Sequence, residues 1–143
     1  DLYYGHPMTL SQVVPIEIYN QTAYTLVAET NGLNHFNFYT EKIVKPILAR
    51  RLFVVVAGQY YLRNLRAMGF KTFDGIIDET YDTVEDPSTR WEMAMQQVNW
   101  LCITPQESIL NQINQIVDHN YRLMVDTNWH LIDYAKVSPA AIT

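Results

Sequence analysis

Apolar and polar positions along this chain fall into blocks of two periods. The clearest block is Leu52-Phe53-Val54-Val55-Val56-Ala57, an unbroken apolar run rich in β-branched side chains and closed by Gly58. A run too short for an ordinary helix and flanked by polar residues predicts a strand buried on both faces. Tyr24-Thr25-Leu26-Val27-Ala28 is similar, with Glu29 at its end and the turn residues Asn31-Gly32 beyond, and predicts a second, central strand. Lys71-Thr72-Phe73 predicts a short third one.

The remaining blocks have helical spacing. Thr40 is a suitable N-cap, Glu41 suits the first turn, and Arg50 and Arg51 suit the C-terminal end of a helix between the first two strands. Pro46 inside it predicts a kink or a start later than Thr40. Between Tyr60 and Met68, the residues Tyr61, Leu62, Leu65 and Met68 share one face and Gly69 is the expected C-cap. Asp86 before Pro87 predicts a helix start, with Trp91, Met95, Val98 and Leu101 on the inner face. Thr104, Pro105 and Glu107 read as a capping box opening another helix, through Leu110, Ile113, Ile116, Val117, Tyr121 and Met124. Asn128 to Tyr134 predicts a last helical turn or two carrying Trp129 and Ile132, and Ile16-Glu17-Ile18-Tyr19 reads equally as a helical turn or a short strand.

Strand, helix, strand, helix, strand and then helices predicts an α/β fold with a parallel sheet, crossover helices and a helical C-terminal part. Residues 1–15 are expected to be an extended lead-in, 16–136 a single domain and 137–143 a frayed tail. Ligands of such sheets bind beyond the C-terminal ends of the strands. Glu29 and the 38–42 segment follow one strand and Gly58 the next, so these positions are expected to converge.

At 143 residues, 48% apolar and 17% charged, the chain suits one globular domain with its own core. A net charge of -5 argues against coating nucleic acid and against a polybasic membrane patch. The single cysteine, Cys102, rules out an internal disulfide and suits a reducing compartment, so a cytoplasmic location and a buried thiol are expected. No apolar run reaches membrane-spanning length. Asp74, Asp78, Glu79, Asp82, Glu85 and Asp86 are closely spaced but lack the calcium-loop pattern, and read as a solvated acidic loop. The histidines show no metal-ligand spacing, and neither a metal nor a cofactor is expected. His35 lies near the candidate site.

Phe38-Tyr39-Thr40-Glu41-Lys42 puts a hydroxyl, a carboxylate and an ammonium at a helix start. Free N–H groups there attract phosphate, Lys42 adds a full positive charge, and Glu41 is a good acceptor for vicinal sugar hydroxyls. Phe38 or Tyr39 can stack on a base or sugar. By spacing alone, the same residues are a capped, solvent-facing helix start.

From Leu26 to Leu65 the chain resembles the donor-binding half of α-1,3-fucosyltransferases and related phage and bacterial glycosyltransferases. The likeness rests on a strand ending in Glu29, the Phe38-Tyr39-Thr40-Glu41-Lys42 motif, a helix, the Phe53 to Val56 strand and Gly58. Gly69-Phe70-Lys71-Thr72-Phe73, Asp78-Glu79-Thr80-Tyr81-Asp82 and Glu85-Asp86-Pro87 extend it toward the phage and bacterial relatives. The resemblance implies a Rossmann-like lobe of a GT-B glycosyltransferase that binds a nucleotide-diphosphate sugar without a metal. Glu41 would contact the donor ribose and Lys42 its diphosphate. Phe38 stands where those enzymes commonly have a tyrosine, and Thr30 where they have an asparagine after the strand's glutamate, so the donor base and sugar stay open. In the family the acceptor and the catalytic base belong to an N-terminal lobe. The chain is therefore expected to be inactive alone and active only when joined to such a lobe, and no residue is assigned as catalytic. The alternative is a non-catalytic binding or structural module that keeps the lobe fold. A lone lobe is expected to self-associate through aromatics such as Tyr3, Tyr4, Tyr60 and Tyr61.

Overall fold

The computed structural model describes residues 2–3, 6–34 and 36–129. Among them the chain is mixed α/β. The lead-in carries a short antiparallel pair, β1 (Leu2–Tyr3) and β2 (His6–Pro7), followed by a single 3-10 turn at Leu10–Gln12. The ambiguous 16–19 stretch is helical, as α1 (Ile16–Asn20). The end of α1 is tied to the core by the Arg51 guanidinium, which donates to the Tyr19 carbonyl.

The centre is a parallel pair, β3 (Tyr24–Ala28) and β4 (Leu52–Val56), in register from Tyr24 opposite Leu52 to Ala28 opposite Val56. Helix α2 (Glu41–Leu48) crosses between them. β4 is buried on both faces from Leu52 to Val55, as its apolar run predicts. β3 is not the central strand that its sequence suggests. Val27 is buried, but Leu26 on the opposite face is 44% exposed and Ala28 is exposed.

Residues 71–73 add no third strand, and the far edge of β4 explains why. The Glu29 N–H donates to the Val56 carbonyl at 3.0 Å, so Val56 faces β3 and its neighbours Val55 and Ala57 face away. On that outer side the Val55 N–H meets the Tyr81 hydroxyl at 3.3 Å, and the Ala57 carbonyl accepts from Arg90 Nε at 3.0 Å. Side chains have taken the ladder positions. The 71–73 segment contributes packing instead: Phe73 is fully buried and meets Phe53 edge-on, with ring centroids 5.0 Å apart. The wider parallel sheet expected from strand–helix alternation is thus not formed among the described residues.

Pro46 neither kinks α2 out of existence nor delays its start. Thr40 caps the helix, accepting from the Lys42 N–H at 3.3 Å. The other end closes with Arg51 N–H to Pro46 C=O at 2.9 Å and Arg50 N–H to Ile47 C=O at 3.1 Å, around Arg50 at φ 55°. Glycine usually holds that left-handed position. Here Arg50 is held by an ion pair to Asp118 at 3.2 Å and by stacking over Tyr121. Both partners lie on α5 (Gln106–Asp126).

Helix α3 (Tyr61–Ala67) buries Tyr61, Leu62 and Leu65, and Gly69 at φ 95° follows its end, as expected. Asp86 caps α4 (Pro87–Ile103), accepting from Thr89 N at 2.7 Å. The inner face of α4 is shifted from the expected one. Arg90, Ala94 and Leu101 are buried, Val98 packs against the core from the side, Trp91 is half-buried and Met95 is 39% exposed. The expected capping box is absent. The Thr104 hydroxyl turns back to the Trp100 carbonyl at 2.7 Å and finishes α4, and α5 starts after Pro105 with no side-chain cap. On α5 the buried stripe is Ile109, Ile113, Val117 and Asn120, with Leu110, Ile116, Tyr121 and Met124 half-buried beside it. Cys102, expected to be buried, is exposed. Tyr61 is core rather than part of an exposed aromatic patch, and Tyr60 lies under the Arg63 guanidinium. Tyr4, the expected helical turn beyond Trp129, and the frayed tail lie outside the described residues.

Candidate functional site

Both parallel strands run in one direction, so the chain leaves them on one edge of the sheet. The loop after β3 and the turn after β4 meet there closely. A Cβ on Gly58 would stand 2.2 Å from the Asn34 carbonyl oxygen and 3.0 Å from Asn37 Oδ1. Only a glycine lets the two connections cross at this distance. The Asn37 amide donates to the Gln59 carbonyl at 3.0 Å, fastening them.

Glu29 organises the next layer. Its carboxylate accepts from the Thr40 hydroxyl at 2.8 Å and from the Tyr61 hydroxyl at 2.8 Å, with the Thr40 N–H at 3.5 Å. Tyr39 sits against Tyr61, centroids 4.6 Å apart, and its hydroxyl donates to the Tyr61 carbonyl at 3.0 Å. Burial, reinforced by the Glu29 charge and hydrogen bond, pushes the Tyr61 hydroxyl well above the usual tyrosine range. Burial, with Asp82 and Glu29 behind it, does the same for Tyr39. Both phenols are therefore fixed donors and not bases. Lys42 folds back over the same edge, its ammonium donating to the Thr30 hydroxyl at 3.0 Å. Glu41 is exposed in the first turn of α2. Phe38 is 65% exposed.

The structure thus brings Glu29, Tyr39, Thr40 and Lys42 into one connected cluster. Gly58 serves the crossing beneath it, and Glu41 and Phe38 face outward at its border. One consequence bears on anion binding. The Glu29 carboxylate holds the Thr40 hydroxyl and so places a negative charge beside the start of α2, where N–H groups would otherwise attract a phosphate. A phosphate would have to approach from the Lys42 side.

Three residues of this edge are not apparent from the sequence pattern. Tyr61 reads there as an apolar-face or surface aromatic, yet its hydroxyl holds Glu29. Asp82 is 2% exposed and caps α3, accepting from Leu62 N at 2.8 Å and Arg63 N at 2.9 Å. Arg90 is also 2% exposed and donates to four carbonyls: Ala57 at 3.0 Å, Gly32 at 2.6 Å, Val84 at 2.6 Å and Glu85 at 3.0 Å. It clamps the loop after β3 and the end of β4 to the entry of α4. The available signal was an arginine on the apolar stripe with Ala94 and Leu101. Glu79 is 7% exposed and pairs with Arg66 at 2.9 Å while accepting from Phe73 N at 2.8 Å. The 74–86 segment is therefore a solvated acidic loop only in part: Asp74, Asp78, Glu85 and Asp86 are exposed, as expected. Two of its carboxylates, Glu79 and Asp82, are structural acceptors inside the protein.

Among the described residues no group of three or more His, Cys, Asp or Glu side chains is arranged to hold a metal ion. His119 contacts the Gly69 carbonyl at 2.8 Å, far along the chain from this edge, and His35 lies outside the described residues. No helix among them is long and apolar enough to cross a membrane. Comparison of the chain with known protein families, with curated proteins and with solved structures gave no match.

Proposed function

We propose that this chain is the Rossmann-like donor-binding lobe of a GT-B glycosyltransferase of the α-1,3-fucosyltransferase-like kind, taking a nucleotide-diphosphate sugar at the start of α2. The observation that carries this reading is the meeting, beyond the C-terminal ends of two parallel strands, of Glu29, Thr30, Thr40 and Lys42 in one hydrogen-bonded cluster. That edge is where α/β sheets bind ligands. Lys42 supplies the cation for the diphosphate and makes no ion pair among the described residues. Glu41, solvent-facing one residue earlier, is free to accept from ribose hydroxyls. Glu29 acts as a positioning residue, tying Thr40 and Tyr61 together so that the start of α2 is fixed before the donor arrives.

Calorimetric titration with nucleoside diphosphates and nucleotide sugars tests the reading. Binding is expected to be lost in Lys42→Ala and weakened in Glu41→Ala, with the circular dichroism spectrum unchanged. Absence of binding to any nucleotide by the folded wild type removes it.

The Glu29 carboxylate at the helix start favours a second reading, a non-catalytic module that keeps the fold. In that case the Glu29–Thr40–Tyr61 cluster is purely structural. Glu29→Gln would then lower stability without changing any nucleotide affinity. In the donor-lobe reading it changes both, because it removes a negative charge beside the diphosphate.

A further inference from the structure

A concavity lies on the other flank of α2, and of the residues of the edge above only Asn37, Phe38 and Tyr39 reach it. It has a volume of about 560 Å³, within the range of small-molecule sites. Its floor is the core itself: Ile43 and Ile47 from α2, Leu65 from α3 and Phe70 are all buried. Its walls are the half-buried Val44, Met68, Met124 and Trp129, the last stacked on Phe70 with centroids 5.6 Å apart and planes 8° from parallel. Phe38 stands exposed at the rim.

The chemistry of this lining is one-sided. No Asp, Glu, Lys, Arg or His is among the described residues that form it. Of its polar groups, the Tyr39 hydroxyl is spent on the Tyr61 carbonyl and the Asn37 amide nitrogen on the Gln59 carbonyl. The Trp129 indole N–H is spent on the Met124 carbonyl at 2.9 Å. A charged ligand would lose its hydration here and meet no side chain of opposite charge among the described lining residues. A hydrocarbon would gain contact with flexible thioethers and flat rings that adapt to its shape. Glu29, Thr40, Glu41 and Lys42 take no part in the lining. Lys42 and Val44 are two positions apart on one helix and so on opposite flanks of it.

We propose that this cavity is a binding site for an uncharged hydrocarbon ligand, in its simplest form an alkyl chain of medium length. The assignment does not rest on the donor reading. It is tested by titrating the full chain with hexanol, octanol and decanol while following the indole N–H resonance of Trp129. Saturable shifts are expected, and each added methylene should tighten binding about three- to fourfold until the cavity is filled. Val44→Trp, and independently Met68→Trp, project bulk into the cavity from half-buried positions and should weaken binding at least tenfold with the remaining amide spectrum retained. Lys42→Ala should leave alkanol binding unchanged, which keeps this test separate from the nucleotide titration. No saturable shift, equal affinity along the series, or full binding in a folded filling variant overturns the proposal. So does a loss in Lys42→Ala equal to that in Val44→Trp.

Discussion

At the scale of single residues, the candidate site is held by groups whose polar atoms are already spoken for. Removing Glu29 leaves the buried Tyr61 hydroxyl and the Thr40 hydroxyl without their acceptor. Glu29→Ala should therefore cost about 1–3 kcal/mol in urea denaturation, and Tyr61→Phe about 1 kcal/mol, since the phenylalanine removes both the donor and its need for a partner. Gly58 is constrained more sharply. At 2.2 Å its added Cβ would collide with the backbone carbonyl of Asn34, which cannot swing away as a side-chain tip could. Gly58→Ala should destabilise by about 1–3 kcal/mol, read as a lower urea midpoint at unchanged slope. In the sequence Gly58 reads only as the end of a strand and a member of a ligand edge. That it is forced by a crossing of two connections depends on Asn34, which lies 24 residues earlier.

At the scale of elements, the starts of α2 and α4 were legible because their caps are local. Thr40 and Asp86 bond to N–H groups two and three residues ahead, and a pattern spanning one turn suffices to find them. The start of α3 was not legible, because its cap comes from Asp82, about twenty residues downstream. Asp82→Ala should remove roughly 1–2 kcal/mol and loosen α3 first, seen as faster hydrogen exchange at Leu62 and Arg63.

Neighbouring Glu79 gives this element a pH signature. Burial raises its carboxyl above the ordinary value of 4.5, outweighing the bonds from Thr72, Phe73 and Arg66 that favour the charged form. A folded state with the higher pKa holds its proton longer than the unfolded chain. The contribution of Glu79 is thus fully present below 4.5 and lost as pH rises through its folded-state value. Asp82 acts in the same sense, while the lowered carboxyls of Asp78 and Asp86 act in the opposite one. The stability of wild type relative to Glu79→Gln should therefore decline with rising pH above 4.5, measured as paired urea midpoints. A difference that is flat with pH would contradict this account of Glu79.

At the scale of the molecule, Arg90 is the link between the sheet and the C-terminal helices. Its four carbonyl partners come from the loop after β3, the end of β4 and the turn before α4. Arg90→Met has a comparable stem but leaves buried carbonyls unpaired, and should cost about 3 kcal/mol or more. Arg90→Lys should recover little, because a single ammonium cannot reach three directions as the guanidinium does. The same clamp, with the Tyr81 hydroxyl, seals the outer edge of β4, and the parallel sheet has two strands among the described residues.

By itself the sequence determined what is decided within a few residues: the two parallel strands, helices α2 to α5, the caps at Thr40 and Asp86, and the turn at Gly69. It also marked the edge where Glu29, Thr40 and Lys42 gather, since parallel strands must exit on the same side. Only the tertiary structure decided that β3 is left open on one face, that residues 71–73 pack without pairing, and that Arg90, Glu79 and Asp82 point inward. It also decided that a carboxylate stands beside the start of α2 and that an apolar cavity opens on its other flank. These are contests between distant groups for the same backbone edge or the same buried volume. Periodicity along the chain carries no record of who wins them.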